Sequence, residues 1–305
     1  MSEETKARRT ARTAEPAPPP PGRPAVASVR RPVSSLRSDA RAIKVVWYRE
    51  LIRFFQDRPR IISSLLQPVL FLFVLGTGLS TLVAGGTGGV NLRTFMFPGV
   101  VAMSTMFTAL FSAGSIVWDR EFGFLREMLV APVRRSAIVA SKCVGRTTVA
   151  TLQSLIVLAL AGLVGVPYTP VLMLTLVGEL LLLSFTLTAL GVMIAARMKN
   201  IQTFFALTQV FLLPMFFLSG ALYPLSNLPT WLHVLTRIDP LTYVVDPMRR
   251  AVFAHLTLPA FARAKLSPGV TWGSWHVPTL LELALVTLVG LAFLGAGIWQ
   301  FSRTE

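Results

Sequence analysis

After residue 60 the chain is dominated by six apolar runs, Ile61–Leu82, Phe95–Ile116, Val144–Val164, Val171–Ile194, Phe204–Tyr223 and Thr279–Phe301. Each is close to the ~20 residues that a helix needs to cross a hydrocarbon core of about 30 Å. The predicted fold class is therefore an all-α polytopic membrane protein with six transmembrane helices, and six spans in 305 residues leave little room for anything soluble. Composition agrees: 53% of residues are hydrophobic and 14% charged, where soluble domains carry about 25% charged residues.

The charges are segregated. With six spans, 23 of the 29 Lys and Arg residues fall on one side; the other six are Arg93, Arg237, Arg249, Arg250, Arg263 and Lys265. The positive-inside rule then places both termini in the cytoplasm of an inner or plasma membrane. The net charge of +15 thus reports topology before it reports a partner. No nucleic-acid partner is expected, because Pro and Ala interrupt the basic tail and no aromatic residue punctuates it. Cys143 is the only cysteine, so neither an internal disulfide nor a cysteine metal cluster is available, and it reads as a small packing residue. The first apolar run starts too far in for a cleavable secretory signal, so the first span is its own targeting signal.

Residues 1–33 are rich in Pro, Ala and Arg, with six prolines between Pro16 and Pro24, and are expected to be a disordered basic cytoplasmic tail. Residues 34–60 follow as an amphipathic interfacial helix, and 61–305 form the transmembrane domain. In the helix, Leu36, Ala40, Ile43, Trp47, Leu51, Phe54 and Phe55 recur at spacings of three and four while Arg and Lys occupy much of the rest. That pattern suits the inner headgroup layer, as an anchor for the bundle or a contact for a partner.

Between the second and third runs lies Trp118-Asp-Arg-Glu-Phe-Gly-Phe-Leu-Arg-Glu-Met-Leu-Val-Ala-Pro132. It reads as a short helix: Phe124, Leu125, Met128 and Leu129 share a face, Asp119 and Glu121 suit its N-terminus, and Pro132 ends it. A soluble partner could grip such a helix; a solvated loop is the alternative. After the fifth run, Pro229 begins a stretch with Trp231, Leu235 and Ile238 on one face. Asp239-Pro240 and Asp246-Pro247 follow seven residues apart, each an Asp placed to cap a helix that Pro starts. Two or three short helices at the outer leaflet are expected. Arg249 and Arg250 form the strongest outer cationic pair, placed to meet anionic headgroups or to snorkel at the surface.

Catalytic constellations are missing. No GxxxxGK[ST] loop is present, and Gly85, Gly86, Gly88 and Gly89, with no Lys after them, read as an external loop. His233, His255 and His276 lie 22 and 21 residues apart and fit no local ligand motif. Within the spans, Glu179 is the notable ionisable residue, either a protonated packing group or a polar contact in a conduit. Glu282 is expected to be interfacial, while Gln67, Gln153 and Gln209 suit interhelical hydrogen bonds.

The run WDREFGFLREMLVAPVRRSAIVASK from Trp118 to Lys142, and FLSGALYPLSNLPTWLHVLTRIDPLTYVVDPMRR from Phe217 to Arg250, resemble the ABC-2 type transport permeases, especially the daunorubicin-resistance and Nod-factor or polysaccharide export subunits. The resemblance covers about residues 36–301. It implies a homodimer or heterodimer of permease subunits working with a separate ATP-binding cassette ATPase. Asp119, Arg120, Glu121, Phe124, Leu125, Arg126, Glu127 and Met128 would form the coupling helix docked in that ATPase. It also implies re-entrant helices between the fifth and sixth spans, with Trp231, Asp239, Pro240, Tyr243, Asp246, Pro247, Arg249 and Arg250 lining the exit. Gln67, Glu179 and Gln209 are the polar candidates for conduit or packing.

Three function classes come out of this reading. A self-contained secondary transporter or channel should show an internal repeat and midplane charges, and neither is evident. A membrane-embedded enzyme would need a cluster of His, Asp or Glu on one side. The expected function is the non-catalytic permease subunit of an ATP-driven exporter for an amphipathic substrate: a drug, a lipid or a glycolipid. This chain is expected to bind no cofactor, with ATP and Mg held by the partner ATPase.

Overall fold

The computed structural model describes residues 36–80, 91–123, 134–225, 228–256, 259, 263, 266–272 and 275–304. The expected tail at 1–33 and the glycine cluster at 85–89 lie outside them. Within this unit the order is α1 (Leu36–Gln56), α2 (Arg58–Leu70, carried on by a π-turn at Phe71–Leu75 and a last turn at Gly76–Gly78), α3 (Leu92–Glu121), α4 (Arg135–Leu158, then a 3₁₀ turn at Ala161–Val164), α5 (Pro170–Ala195), α6 (Ile201–Leu218), α7 (Thr230–Ile238), α8 (Thr242–Ala254), β1 (Thr271–Trp272), β2 (Trp275–His276) and α9 (Thr279–Thr304).

Among the described residues, five helices are long and apolar enough to cross a membrane: Ile61–Gly78, Leu92–Glu121, Pro170–Ala195, Ile201–Leu218 and Thr279–Arg303. The run expected as the third span, Val144–Val164, is not among them. It belongs to the 24-residue α4, whose length of about 36 Å is ample. Its hydropathy is lowered by Lys142, Arg146, Thr147, Thr151, Gln153 and Ser154, all buried by neighbouring helices rather than presented to lipid. The predicted 34–60 helix is also shorter than expected, ending at Gln56, and α2 starts at Arg58.

The long helix α3 is the core of the bundle. Asn91 caps it by accepting from the Arg93 amide at 3.1 Å, and 78% of its most apolar window is buried. It packs against α4, α5 and α6, while α9 packs along α5 and α1 along α4. Small residues set the approach of α3 and α5, since a Cβ added at Gly191 would sit 2.7 Å from the Ala113 methyl. Between α3 and α4 the Thr105 and Ser154 hydroxyls meet at 2.6 Å, one donating to the other, and each also lies within hydrogen-bond distance of a carbonyl one turn back. Such hydroxyl pairs satisfy polar groups without breaking a helix.

The connection before α9 departs from the expected all-helical pattern. It contains a two-residue antiparallel ribbon pairing Thr271 with His276 and Trp272 with Trp275. Its Trp272 indole donates to the Tyr243 hydroxyl at 3.1 Å, which tethers it to α8.

Candidate functional site

At the C-terminal end of α3, three consecutive side chains reach four other helices. Asp119 forms an ion pair with Lys142 of α4. Arg120 donates from Nη1 to the carbonyls of Ala195, Ala196 and Met198 at 3.2, 3.2 and 2.8 Å, closing the C-terminus of α5. A cation is favoured there, where the last carbonyls of a helix lack partners. The same guanidinium lies 5.7 Å from the Phe301 ring of α9. Glu121 accepts from the Ile201 amide at 2.9 Å, at the N-terminus of α6. Asn200 accepts there from Gln202 and Thr203, so the first turn of α6 has two side-chain caps.

This geometry corrects the expected short helix. Asp119, Arg120 and Glu121 are the last turn of α3 itself, not the start of a separate helix, and they are spent on internal contacts. The helix ends at Phe122, followed by Gly123 at φ +83°. That left-handed conformation is what glycine supplies at a helix end. The remaining coupling residues, Phe124, Leu125, Arg126, Glu127 and Met128, lie outside the described residues. Just before them Trp118 and Phe122 are both exposed with ring centroids 4.8 Å apart, an aromatic pair that periodicity in the 124–129 segment did not single out.

A second charged site sits at the opposite end of α3, around α8. Arg249, expected at a surface, is 1% exposed. It donates to the Gly220 carbonyl at 2.6 Å and stacks 4.3 Å over the Phe95 ring of α3. Burial pushes its guanidinium down to about 10, still charged at neutral pH. Arg250 bridges Asp246 on its own helix at 2.8 Å and Glu282 of α9 at 2.5 Å. Glu282, expected to be interfacial, is fully buried. Glu179 of α5 is buried within electrostatic reach of all three. Three carboxylates thus share one neighbourhood with Arg250 and Arg249, a gathering that linear spacing gave no means to see.

Asp239-Pro240 and Asp246-Pro247 turn out unlike each other. Asp239 accepts from the Leu241 amide at 3.0 Å in the turn that leads into α8, but α8 begins at Thr242 with Leu241 at its cap position and no side-chain cap, so the expected cap is not formed. Burial raises its carboxyl to about 8, against the opposing pull of that backbone donor. Asp246 caps nothing: it lies inside a continuous α8 with Pro247 next to it, and its charge answers Arg250. Tyr243 donates to the Arg237 carbonyl at 2.8 Å and is buried. On α7, Trp231, Val234, Leu235 and Ile238 form the exposed apolar face expected of that stretch. Of the polar span residues, Gln153 is buried, while Gln67 and Gln209 are exposed on α2 and α6. Among the described residues no group of three His, Cys, Asp or Glu is arranged to hold a metal ion.

Comparison with known proteins places these features in a common frame. Residues 41–253 match the ABC-2 type transporter family, a range that includes α3 to α7, nearly all of α8 and every residue named in the two charged sites except Glu282 and Phe301 of α9. The chain is 28% identical over 214 residues to Nodulation protein J of Rhizobium leguminosarum bv. trifolii, covering 69% of this chain and 80% of that protein. It is 29% identical over 198 residues to the ycf38 transport permease of Cyanophora paradoxa, covering 62% of this chain and 66% of that protein. It is 31% identical over 166 residues to the multidrug ABC transporter permease YbhR of Escherichia coli K12, covering 52% of this chain and 43% of that protein.

Proposed function

The chain belongs to the ABC-2 type transporter family, and from that premise we propose that it is the membrane permease subunit of an ATP-driven exporter. A separate cassette ATPase, binding ATP and Mg, supplies the energy, and a second permease copy completes the pathway. The cargo is an amphipathic molecule, a drug, lipid or glycolipid, moved outward across the cytoplasmic membrane. The chain itself is non-catalytic. In this reading α4 is the third of six spans, shielded from lipid by α1, α3 and α5, and both termini are cytoplasmic.

One observation carries the proposal. Asp119, Arg120 and Glu121 join α4, α5, α6 and α9 at the point where the chain leaves α3 for residues 124–133. A partner that grips 124–129, assisted by the exposed Trp118–Phe122 pair, would pull on four helices at once. Opening of the permease then follows as a rigid shift of packed helices around the dimer interface. The test is co-expression with the cassette ATPase and measurement of partner recovery and ATP-dependent efflux for Phe124→Ala with Leu125→Ala. Loss of about 1.5–3 kcal/mol of contact per large apolar side chain should weaken both. Unchanged recovery and efflux at normal membrane abundance would refute the docking role.

A second reading has its own observation. The cluster of buried Glu179, Asp246 and Glu282 around the half-buried Arg250 is the kind of intramembrane charge that ion-coupled carriers use. Transport that persists with the ATPase inactivated and follows an ion gradient would favour it.

A further inference from the structure

Away from both charged sites, a cavity of about 230 Å³ opens between α1, α2, α3 and α4. Its polar lining includes Glu50, Arg146, Ser104 and Gln153; the Phe107 and Phe111 rings of α3 form an apolar wall. Two of the polar groups have nothing to bond to among the described residues. The Gln153 amide nitrogen and the Ser104 hydroxyl are buried, with their residues 1% and 3% exposed, and both lack a hydrogen-bond partner. Buried polar groups left in that state are rare in folded proteins and mark a place where a partner is missing. An amide and a hydroxyl ask for hydroxyl or amide groups in return.

Charge narrows the ligand further. The ionisable residues lining the cavity are Glu50 and Asp57 against Arg53 and Arg146, two of each sign. Glu50 and Arg146 already face each other at 3.0 Å. A free anion or cation would have to compete with that pair, whereas an uncharged head would not. Gln153 and Ser104 line the same space as the Phe107 and Phe111 rings, so an amphiphile can set its head on the first two and its chain against the rings.

We propose that this cavity is a binding site for an uncharged, hydroxyl-bearing amphiphile drawn from the membrane leaflet next to α1, and that it is where the exporter first holds its cargo. The second half of the statement rests on the permease reading; the first does not. Gln153 and Ser104 bind the head, and Phe107 and Phe111 receive the chain.

The experiment uses the full chain in lipid nanodiscs with Cys143→Ala and a reporter thiol at the cavity wall, Thr108→Cys. Reaction of that thiol with a membrane-permeant thiol reagent should be slowed by dodecyl maltoside. Dodecyl sulfate and dodecyltrimethylammonium should not slow it. Adding Gln153→Leu or, separately, Ser104→Ala should weaken the maltoside protection by about tenfold in concentration. Equal protection by all three amphiphiles, or none by any, overturns the site; intrinsically slow labelling that quickens on dilution of the protein would mean that a second copy fills it. With the cassette partner and ATP, movement of a labelled alkyl maltoside should be lower in Gln153→Leu than in the parent. Equal movement overturns the cargo role, while no ATP-dependent movement of any amphiphile by the parent would count against the permease reading and leave the binding result intact.

Discussion

Glu50 of α1 and Arg146 of α4 meet at 3.0 Å with only 2% and 6% of their side chains exposed. A buried pair of this kind costs desolvation on both sides, so it adds little net stability against an apolar pair, but removing one member leaves a buried charge without its counterion. Glu50→Ala is expected to destabilise the protein by about 3–5 kcal/mol. Glu50→Leu combined with Arg146→Met should recover most of that loss. Thermal unfolding of the purified variants is the check, and a double variant no better than the single one would contradict the pairing.

Arg120 should separate assembly from coupling. It lies inside the bundle, bonded to three carbonyls that end α5, so Arg120→Ala should leave partner recovery intact. Hydrogen bonds to a charged group are worth about 1.5–3 kcal/mol, and their loss would let α3 move without α5. Reduced efflux at unchanged ATPase binding is the expected pattern. Arg120→Lys should restore only part of it, because one ammonium cannot reproduce the planar fork.

The carboxyl of Asp239 predicts a pH dependence with a definite sign. Its ordinary value of 3.8 is raised to about 8 by burial. The folded chain therefore keeps a proton that the unfolded chain has released. That contribution to stability is complete below 3.8, shrinks as pH rises, and is gone once pH passes about 8. Asp239→Asn keeps the acceptor for the Leu241 amide and removes the titration. Relative to the parent it should gain nothing near pH 4 and progressively more as pH rises toward 8, by at most about 1.4 kcal/mol per pH unit. Parallel melting profiles for the two proteins across that range would refute the buried carboxyl.

Gly99 of α3 marks a contact with no spare room. A Cβ added there would come 2.5 Å from the Ala221 carbonyl and 2.6 Å from the Ala221 Cα. Ala221 adjoins Gly220, whose carbonyl takes the Arg249 guanidinium. Gly99→Ala should cost about 1–3 kcal/mol by overpacking, while Gly178→Ala, where nothing lies within 4 Å, should be neutral or slightly stabilising. Comparing the melting temperatures of the two variants tests this.

Orientation can be read by labelling. In a Cys143→Ala background, Pro268→Cys should react with an impermeant thiol reagent on intact cells and Ser136→Cys should not. The reverse pattern would invert the topology derived from the basic residues.

Much of the architecture was legible in the sequence because lipid demands length and apolarity, and both are properties of a linear string. The first, second, fourth, fifth and sixth runs each fall on a helix long and apolar enough to span. The exposed face of α7 followed from spacing in the same way. The 135–158 helix was harder to classify from the same rule: its Lys142 and Arg146 answer carboxylates on α3 and α1, and hydropathy has no record of partners far away in the chain.

The sites show the same division. That Asp239 would hold a turn by bonding the amide two residues on was readable; that Leu241 rather than Asp239 would stand at the cap position of α8 was not. That Asp246 would instead meet Arg250 and Glu282, that Arg249 would be buried against Phe95, and that Glu121 would cap α6 could be decided only by folding. Local sequence determined which segments are helices and which of them suit a bilayer. Tertiary structure decided which charges are neutralised and by whom, because an ion pair or a helix cap depends on atoms within about 3–4 Å, and residues that meet at that distance here are as much as 101 positions apart, as Trp47 and Thr148 are.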